Sequence, residues 1–292
     1  FNGGYYPYNE KDINEQIIYV EYQKSADYNG ELEFNGSFEC STPIRSGITY
    51  YGDYSSDEDN DYYSFKIDTF TLVKMNLKCE QGYHDPDFTL YLNDENGNKK
   101  QVLSDSECIY NDDELEISIR FRLPKGQYYI LVNPGETSAE YSLNVDYSAS
   151  EGNGYYEREF NDSSSAANYI EIDQQYTGNF NSEKDNDWFQ FMLNEKRNIS
   201  LEFRIPEQVG NGVAKVTLYD EEFNVIKEIE TDNNAYYSMD KVTKPAGIYY
   251  VKVAPGYKYL NSNSNYSFKI NTDVILNPVT DLKVAYDKYN KL

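Results

Sequence analysis

The chain has 292 residues, 50 of them acidic and 26 basic, which gives a formal net charge of -24. This charge excludes nucleic acid and anionic membranes as partners, because both are bound through basic patches. No run approaches the roughly 20 apolar residues of a membrane helix, so no membrane insertion is expected, and the single histidine excludes a zinc site built on several histidines.

In chain order, the sequence predicts a lead, two repeats joined by a linker, and a tail. The lead is polar and Tyr-rich, with a helix expected near 10–24, and the tail resembles the opening strand of a fibronectin type III domain, so the natural protein is expected to continue. The predicted limits are 1–29 for the lead, 30–148 and 157–273 for the repeats, 149–156 for the linker and 274–292 for the tail.

The repeats are visible as an internal identity at an offset of 126. Residues 31–65 align with 157–191 without a gap, and 13 of these 35 positions are identical. Similar segments follow later, for example the pair that begins at Gly126 and Gly247 and the pair that begins at Tyr141 and Tyr266. A unit of about 120 residues that occurs twice predicts two copies of one domain.

Each repeat is predicted to be all-β. Short segments alternate apolar and polar residues, as half-buried strands do, and Gly- and Pro-containing turn signals separate them. The predicted strands include 62–68, 115–121, 127–132, 141–147, 199–205 and 213–219. Many short strands in about 120 residues predict two jelly-roll-like antiparallel β-sandwich domains in tandem.

The densest identity between the repeats is acidic rather than apolar. Glu-x-Glu-Phe-Asn recurs at 31–35 and 157–161, and Asp-Asn-Asp recurs at 59–61 and 185–187. In an extended strand, residues two apart project to the same face, so each motif gathers its oxygen atoms on one side. Core packing would preserve apolar residues, so the shared acids predict shared oxygen ligands.

Carboxylate pairs and an amide oxygen match the hard oxygen ligands that Ca²⁺ prefers, whereas Mg²⁺ favours fewer protein ligands and Zn²⁺ favours His or Cys. The alternative is a solvated acidic edge. The first repeat departs from the second at two positions, with Gly36 where the second has Asp162 and Glu58 where the second has Lys184. A calcium site is therefore expected more firmly in the second repeat.

These motifs, together with Trp188, Phe191, the Pro-x-Gly-x-Tyr-Tyr segment at 245–250 and Tyr266-Ser267, resemble the bacterial pre-peptidase C-terminal (PPC) domain. That family includes the collagen-binding domains of secreted clostridial-type collagenases. The resemblance covers both repeats and implies a jelly-roll sandwich, secretion and a calcium site. It also implies that calcium orders the segment before the sandwich, here 148–162.

The family's ligands carry over to both repeats by position. The spacing departs at Lys184, which stands where the collagenases tend to have an acid, so Asp185 or Glu183 would have to substitute. The implied ligands are Glu157, Glu159, Asn161, Asp162, Asp185 and Asp187 in the second repeat, and Glu31, Glu33, Asn35, Asp61 and Glu58 or Asp59 in the first.

The resulting interpretation is a non-catalytic, calcium-binding accessory region of a secreted, extracellular bacterial protein, which is expected to be a peptidase. Its expected partner is collagen or other extracellular or cell-surface material, and it is expected to be a monomer. Collagenases carry a Tyr-x-Tyr after the Gly-x-Tyr-Tyr strand; here Tyr257 and Tyr259 lie just beyond that place. The alternatives are a rigid spacer or adhesin repeat without a ligand, and an unrecognised hydrolase.

Three cysteines lie in the first half of the chain. An odd number over this spacing is not typical of a disulfide framework. Buried or half-buried thiols are expected, with a single Cys79–Cys108 bridge as the alternative.

Overall fold

The computed structural model describes residues 29–53, 59–79, 87–104, 116–133, 140–148, 154–182, 184–205, 214–231, 236–256 and 265–275. Several features predicted from the sequence lie outside these residues. They are the helix near 10–24, the fibronectin-like tail, Glu58, Glu183, Cys108, Tyr257 and Tyr259.

The first repeat forms two facing sheets. One has the strand order β1-β3-β8-β5-β6 and the other β2-β9-β4-β7; the pairing of β1 with β3 is parallel and the rest are antiparallel. The strands are β1 (Thr42–Pro43), β2 (Thr49–Asp53), β3 (Asp61–Ile67), β4 (Thr71–Cys79), β5 (Asp87–Asn93), β6 (Lys99–Ser104), β7 (Glu116–Leu123), β8 (Gly126–Asn133) and β9 (Glu140–Asp146).

The second repeat has the same topology. Its sheets have the orders β10-β12-β17-β14-β15 and β11-β18-β13-β16, which match those of the first repeat strand for strand. The strands are β10 (Asn168–Tyr169), β11 (Gln175–Asn179), β12 (Asp187–Leu193), β13 (Arg197–Arg204), β14 (Ala214–Asp220), β15 (Val225–Glu230), β16 (Tyr236–Lys244), β17 (Gly247–Pro255) and β18 (Asn265–Val274).

The prediction of an all-β fold made of antiparallel sandwiches is confirmed, and the described residues contain no α-helix. The six strands predicted from alternation all occur, with each end within two residues of its predicted place. Alternation located them because every second side chain points into the sandwich: along β3 and β12, buried residues alternate with half-buried or exposed ones. The limits of the domains stay a prediction.

Each sandwich has its own hydrophobic core. The first is built around residues such as Tyr63, Phe88 and Phe121, and the second around Phe189 and Phe203, all fully buried. Two cores explain how a chain of this acidity folds, because the apolar burial is complete inside each unit while most of the described charged side chains are not buried. No helix in the described part of the chain is long and apolar enough to cross a membrane.

The segments that lead into each sandwich position the acidic motifs. Residues Gly30 and Tyr156 each form a single parallel bridge with an edge strand, to Tyr51 of β2 and to Thr177 of β11. The second leading segment also touches the first sandwich, since the Glu159 backbone N–H donates to the Arg122 carbonyl of β7 at 3.0 Å. Strand β7 is the edge of its sheet, so this contact covers part of an open edge.

Candidate metal centre

The predicted ligands of the second repeat are brought together at one end of its sandwich. We call Glu157, Glu159, Asn161, Asp162, Asp185 and Asp187 site 2. The leading segment supplies the first four, a turn supplies Asp185 and the start of β12 supplies Asp187. The backbone N–H of Trp188 donates to the Asn161 carbonyl at 3.0 Å, which fixes the leading segment beside β12.

Four buried oxygen atoms in site 2 have no hydrogen-bond partner. They are Oε2 of Glu159, Oδ1 of Asn161, Oδ1 of Asp185 and Oδ1 of Asp187. Oxygen atoms of Glu159, Asp185 and Asp187 lie within 4.8 Å of one another. Buried acceptors without donors are rare because their desolvation is costly, and oxygens in this arrangement could hold a cation.

The other oxygen of each of these carboxylates is held by a donor. Asn181 donates through its side-chain amide to Glu159 Oε1 at 2.8 Å and through its backbone N–H to Asp185 Oδ2 at 2.6 Å. The Tyr266 hydroxyl donates to Asp187 Oδ2 at 2.6 Å. Each carboxylate is thereby fixed by one oxygen while the second is left facing its neighbours, which is the preorganisation that a metal site requires.

Crowding and burial favour the protonated form of these acids. Burial, followed by the charge of Asp185, raises the pKa of Glu159 well above its ordinary value, and burial and then Asp185 do the same to the pKa of Asp187. The pKa of Asp185 is also raised well above normal by burial and then by Glu157. A divalent cation would reverse this preference, because it favours the charged form of each ligand.

Two predicted ligands do not belong to the group of three clustered acids. Glu157 is fully buried, but its Oε1 accepts from Arg122 at 3.3 Å and from the Asn179 backbone at 2.7 Å, and its Oε2 accepts from Tyr266 at 3.1 Å. Asp162 is exposed at the rim, where its Oδ1 accepts from the Asn186 backbone N–H at 3.3 Å. The structure therefore places Glu157 in the protein interior, where protein donors bind both of its carboxylate oxygens, and it places Asp162 at the solvent-exposed rim of the cluster.

The first repeat builds a related but looser arrangement, which we call site 1 (Glu31, Glu33, Asn35, Asp59 and Asp61). The Tyr141 hydroxyl bridges Asp61 Oδ2 at 2.7 Å and Glu31 Oε2 at 3.1 Å, as Tyr266 does in site 2. Burial raises the pKa of Asp61 to about 8. Glu33 is exposed and Asp59 half-buried, and no cluster of three acids with metal-ligand spacing forms among the residues described in site 1.

Two residue types that hold these sites were not recognised as functional from the sequence. Tyr141 and Tyr266 were aligned between the repeats but were assigned only to strands. Gly52 and Gly178 are identical in the alignment of 31–65 with 157–191 and are a second signal. A Cβ at Gly178 would lie 2.3 Å from Glu157 Oε2 and from the Tyr266 hydroxyl. Only glycine leaves room there for the tyrosine and the glutamate to meet.

Arg122 was also missed, and the repeat gave no signal for it. Alignment of Gly126 with Gly247 puts Arg122 opposite Thr243, which is exposed at the equivalent place on β16. Arg122 is 4% exposed, and it donates to Asn179 Oδ1 at 2.7 Å as well as to Glu157. It also lies over the Tyr156 ring, with 4.9 Å between the guanidinium carbon and the ring centroid.

The residues of site 2 fit calcium by their chemistry. All the donors are carboxylate or amide oxygens, which suit a hard cation, and the cluster found among the described residues contains no cysteine or histidine. Glu159, Asp185, Asp187 and Asn161 would hold the ion, with Asp162 at the rim. The bound ion would supply positive charge that offsets the repulsion among these acids.

A second feature is an aromatic cluster on the outer face of each five-stranded sheet. In the second repeat, Trp188 stacks on Tyr219 with centroids 5.4 Å apart, Phe223 packs on Tyr250 at 4.9 Å, and the Lys252 ammonium lies 5.6 Å from the Trp188 ring. In the first repeat, Phe38 contacts the rings of Tyr62, Tyr91 and Tyr129 at 4.7, 5.0 and 5.3 Å. Such half-exposed aromatic clusters on both copies are a candidate binding surface.

Fold and site together define a β-sandwich module with an acidic end, and comparison with known proteins shows which family this module resembles. The model of the Bacterial pre-peptidase C-terminal domain matches residues 59–134. Collagenase ColT of Clostridium tetani (strain Massachusetts / E88) is 24% identical over 273 residues, which cover 90% of this chain and 25% of that protein. The resemblance to the PPC family that the sequence motifs predicted is thereby confirmed.

The chain spans about a quarter of the length of this curated relative. Among solved structures, the pre-peptidase C-terminal domain of a collagenase from Bacillus anthracis is similar, with 18% identity, a TM-score of 0.31 and coverage of 36% of this chain and 94% of that one. The lysozyme inhibitor PliG of Aeromonas hydrophila gives 16% identity and a TM-score of 0.26 over 36% of this chain and 94% of its own.

Proposed function

We propose that this chain is a non-catalytic accessory region of a secreted bacterial peptidase, and that Ca²⁺ bound at site 2 stabilises it. The observation that carries the calcium proposal is the set of four buried oxygens without donors, on Glu159, Asn161, Asp185 and Asp187. The peptidase context is supported by the pre-peptidase family match and by the collagenase relative.

The metal proposal is tested by thermal melting and calorimetry of the whole chain, in chelator and during a Ca²⁺ titration. Calcium at a hundred times its Kd is expected to add about 2.7 kcal/mol to the free energy of unfolding of the second sandwich. Mg²⁺ at the same concentration is the control and should shift Tm far less, because it dehydrates reluctantly. A Tm that is the same with and without calcium would refute the proposal.

We further propose that the region attaches its parent protein to extracellular matrix such as collagen through the aromatic outer faces. Half-exposed rings of this kind stack on proline-rich or sugar surfaces, and the lysines Lys99 and Lys252 beside them suit an anionic or carbonyl-rich partner. The fact that both repeats carry such a face is consistent with binding at two points, which raises avidity.

The targeting proposal is tested by co-sedimentation with fibrillar collagen. Trp188→Ala combined with Tyr250→Ala should remove most binding, and Tyr62→Ala combined with Tyr129→Ala should weaken it. Tyr51→Ala, an exposed tyrosine outside both clusters, is the matched control. Absence of wild-type binding in calcium would favour the alternative, a rigid spacer or adhesin repeat without its own ligand.

A further inference from the structure

We propose that the first repeat completes site 2. The guanidinium of Arg122 is the counter-charge of this site, and it offsets part of the negative charge of the site 2 acids when no metal is bound. The inference rests on the proposed calcium site and assigns a role to a residue outside the repeat that holds that site. Its basis is the contact between β7 and the acidic cluster.

Arg122 is unusual in its burial. Among the residues that the structure describes, it is the only lysine or arginine that is buried. It forms an ion pair with Glu157 at 3.3 Å, with the two side chains 5% and 0% exposed. Removing a guanidinium from water is costly, so a buried arginine indicates that strong negative charge compensates it.

The surroundings supply that negative charge. Glu157 shares the Tyr266 hydroxyl with Asp187, and Asp187 belongs to the three clustered acids. Arg122 therefore contacts the place where a cation would be held through one intervening residue, Glu157. Its positive charge stabilises the acids when metal is absent and repels a divalent ion when metal binds.

The fold itself does not require this arginine. The equivalent residue of the second repeat, Thr243, is exposed and donates to Asn198. Arg122 is instead locked by contacts between the repeats: its carbonyl accepts from Glu159, and the carbonyl of Arg120 accepts from Asn179 Nδ2 at 3.0 Å. Charge compensation at site 2 thus requires both sandwiches, because the first supplies the guanidinium and the second repeat supplies the acids.

The test uses the whole chain with Arg122→Gln, which keeps hydrogen-bonding capacity without charge, and Arg122→Lys, which keeps the charge. In chelator, Arg122→Gln should lower Tm by more than about 5 °C, and Arg122→Lys should restore much of this loss. In calorimetry, Arg122→Gln should bind Ca²⁺ about tenfold more tightly than wild type, because the repulsion is gone. Arg204→Gln, an exposed arginine of β13, controls for net charge.

A double variant keeps the test decisive if Arg122→Gln alone folds poorly. Glu157→Gln in the Arg122→Gln background removes both charges and should recover metal-free Tm relative to either single change. Equal losses for the Gln and Lys variants, additive losses in the double variant, or unchanged or weaker calcium binding by Arg122→Gln would each overturn the proposal. A wild type that ignores calcium would refute the metal site instead, while the comparisons in chelator would still test the counter-charge.

Discussion

Site 1 and site 2 share a motif but differ in what covers them. Glu159 is 4% exposed, whereas its counterpart Glu33 is exposed to solvent. The next residue differs in the same way: Phe160 packs against the core of the first sandwich, and Phe34 is 93% exposed. The difference arises because β7 of the first repeat lies against site 2. The two motifs supply the same acidic residues, but the packing of the neighbouring sandwich sets how far burial raises the pKa values of those residues.

The largest expected difference between the two sites is in calcium affinity. Glu159→Gln should weaken Ca²⁺ binding by about a hundredfold or more, since even outer-shell changes cost 10–100-fold at metal sites. Glu33→Gln should leave the tightest calcium binding, which is expected at site 2, unchanged, because Glu33 is a solvent-exposed residue of site 1. Calorimetric titration measures both. Equal losses in the two variants would mean that exposure does not distinguish the sites.

A second difference is expected in folding stability. Phe160→Ala should lower the free energy of unfolding by about 2 kcal/mol, because it removes half-buried aromatic packing between the repeats. Phe34→Ala should change it by less than about 0.5 kcal/mol, as is usual at exposed positions. Chemical denaturation gives both values. Comparable effects would show that the repeats do not pack through Phe160 in solution.

The last expected effect is a pH dependence of the metal-free protein. The folded state raises the pKa of Asp61 to about 8 and that of Glu157 to about 7, and burial raises the pKa values of Glu159, Asp185 and Asp187 well above their ordinary values. A carboxyl with a raised folded pKa stabilises the fold below its unfolded pKa, and this stability is lost as pH rises through the folded value.

In chelator, Tm should therefore fall by about 10 °C between pH 6 and pH 8. Ordinary surface acids are already ionised over this range and do not contribute. Asp187→Asn should flatten the slope more than Asp61→Asn, because more raised acids surround it. A Tm that rises with pH would contradict the assigned direction, and saturating calcium should abolish the slope at site 2.

The sequence was sufficient for the fold because the fold depends on periodicity. Alternating residues in β3, β8 and β12 mark which side chains enter the sandwich, and that pattern is local. The duplicated Glu-x-Glu-Phe-Asn and Asp-Asn-Asp motifs also located both groups of acidic and amide residues, since those residue types can be read directly from the sequence. The same reasoning assigned Glu33 and Glu159 the same role, because identical residues at identical spacing give identical local patterns.

What the tertiary structure alone decided is the difference between those two residues. Burial of Glu159, the donor-free oxygens around it and the guanidinium of Arg122 all depend on the approach of β7, whose sequence lies more than thirty residues before the motif. Local pattern fixes which oxygens are offered to a cation. Desolvation and counter-charge set the pKa values of those carboxyl groups. Both come from the residues that pack over the site, so they depend on the contact between the two sandwiches.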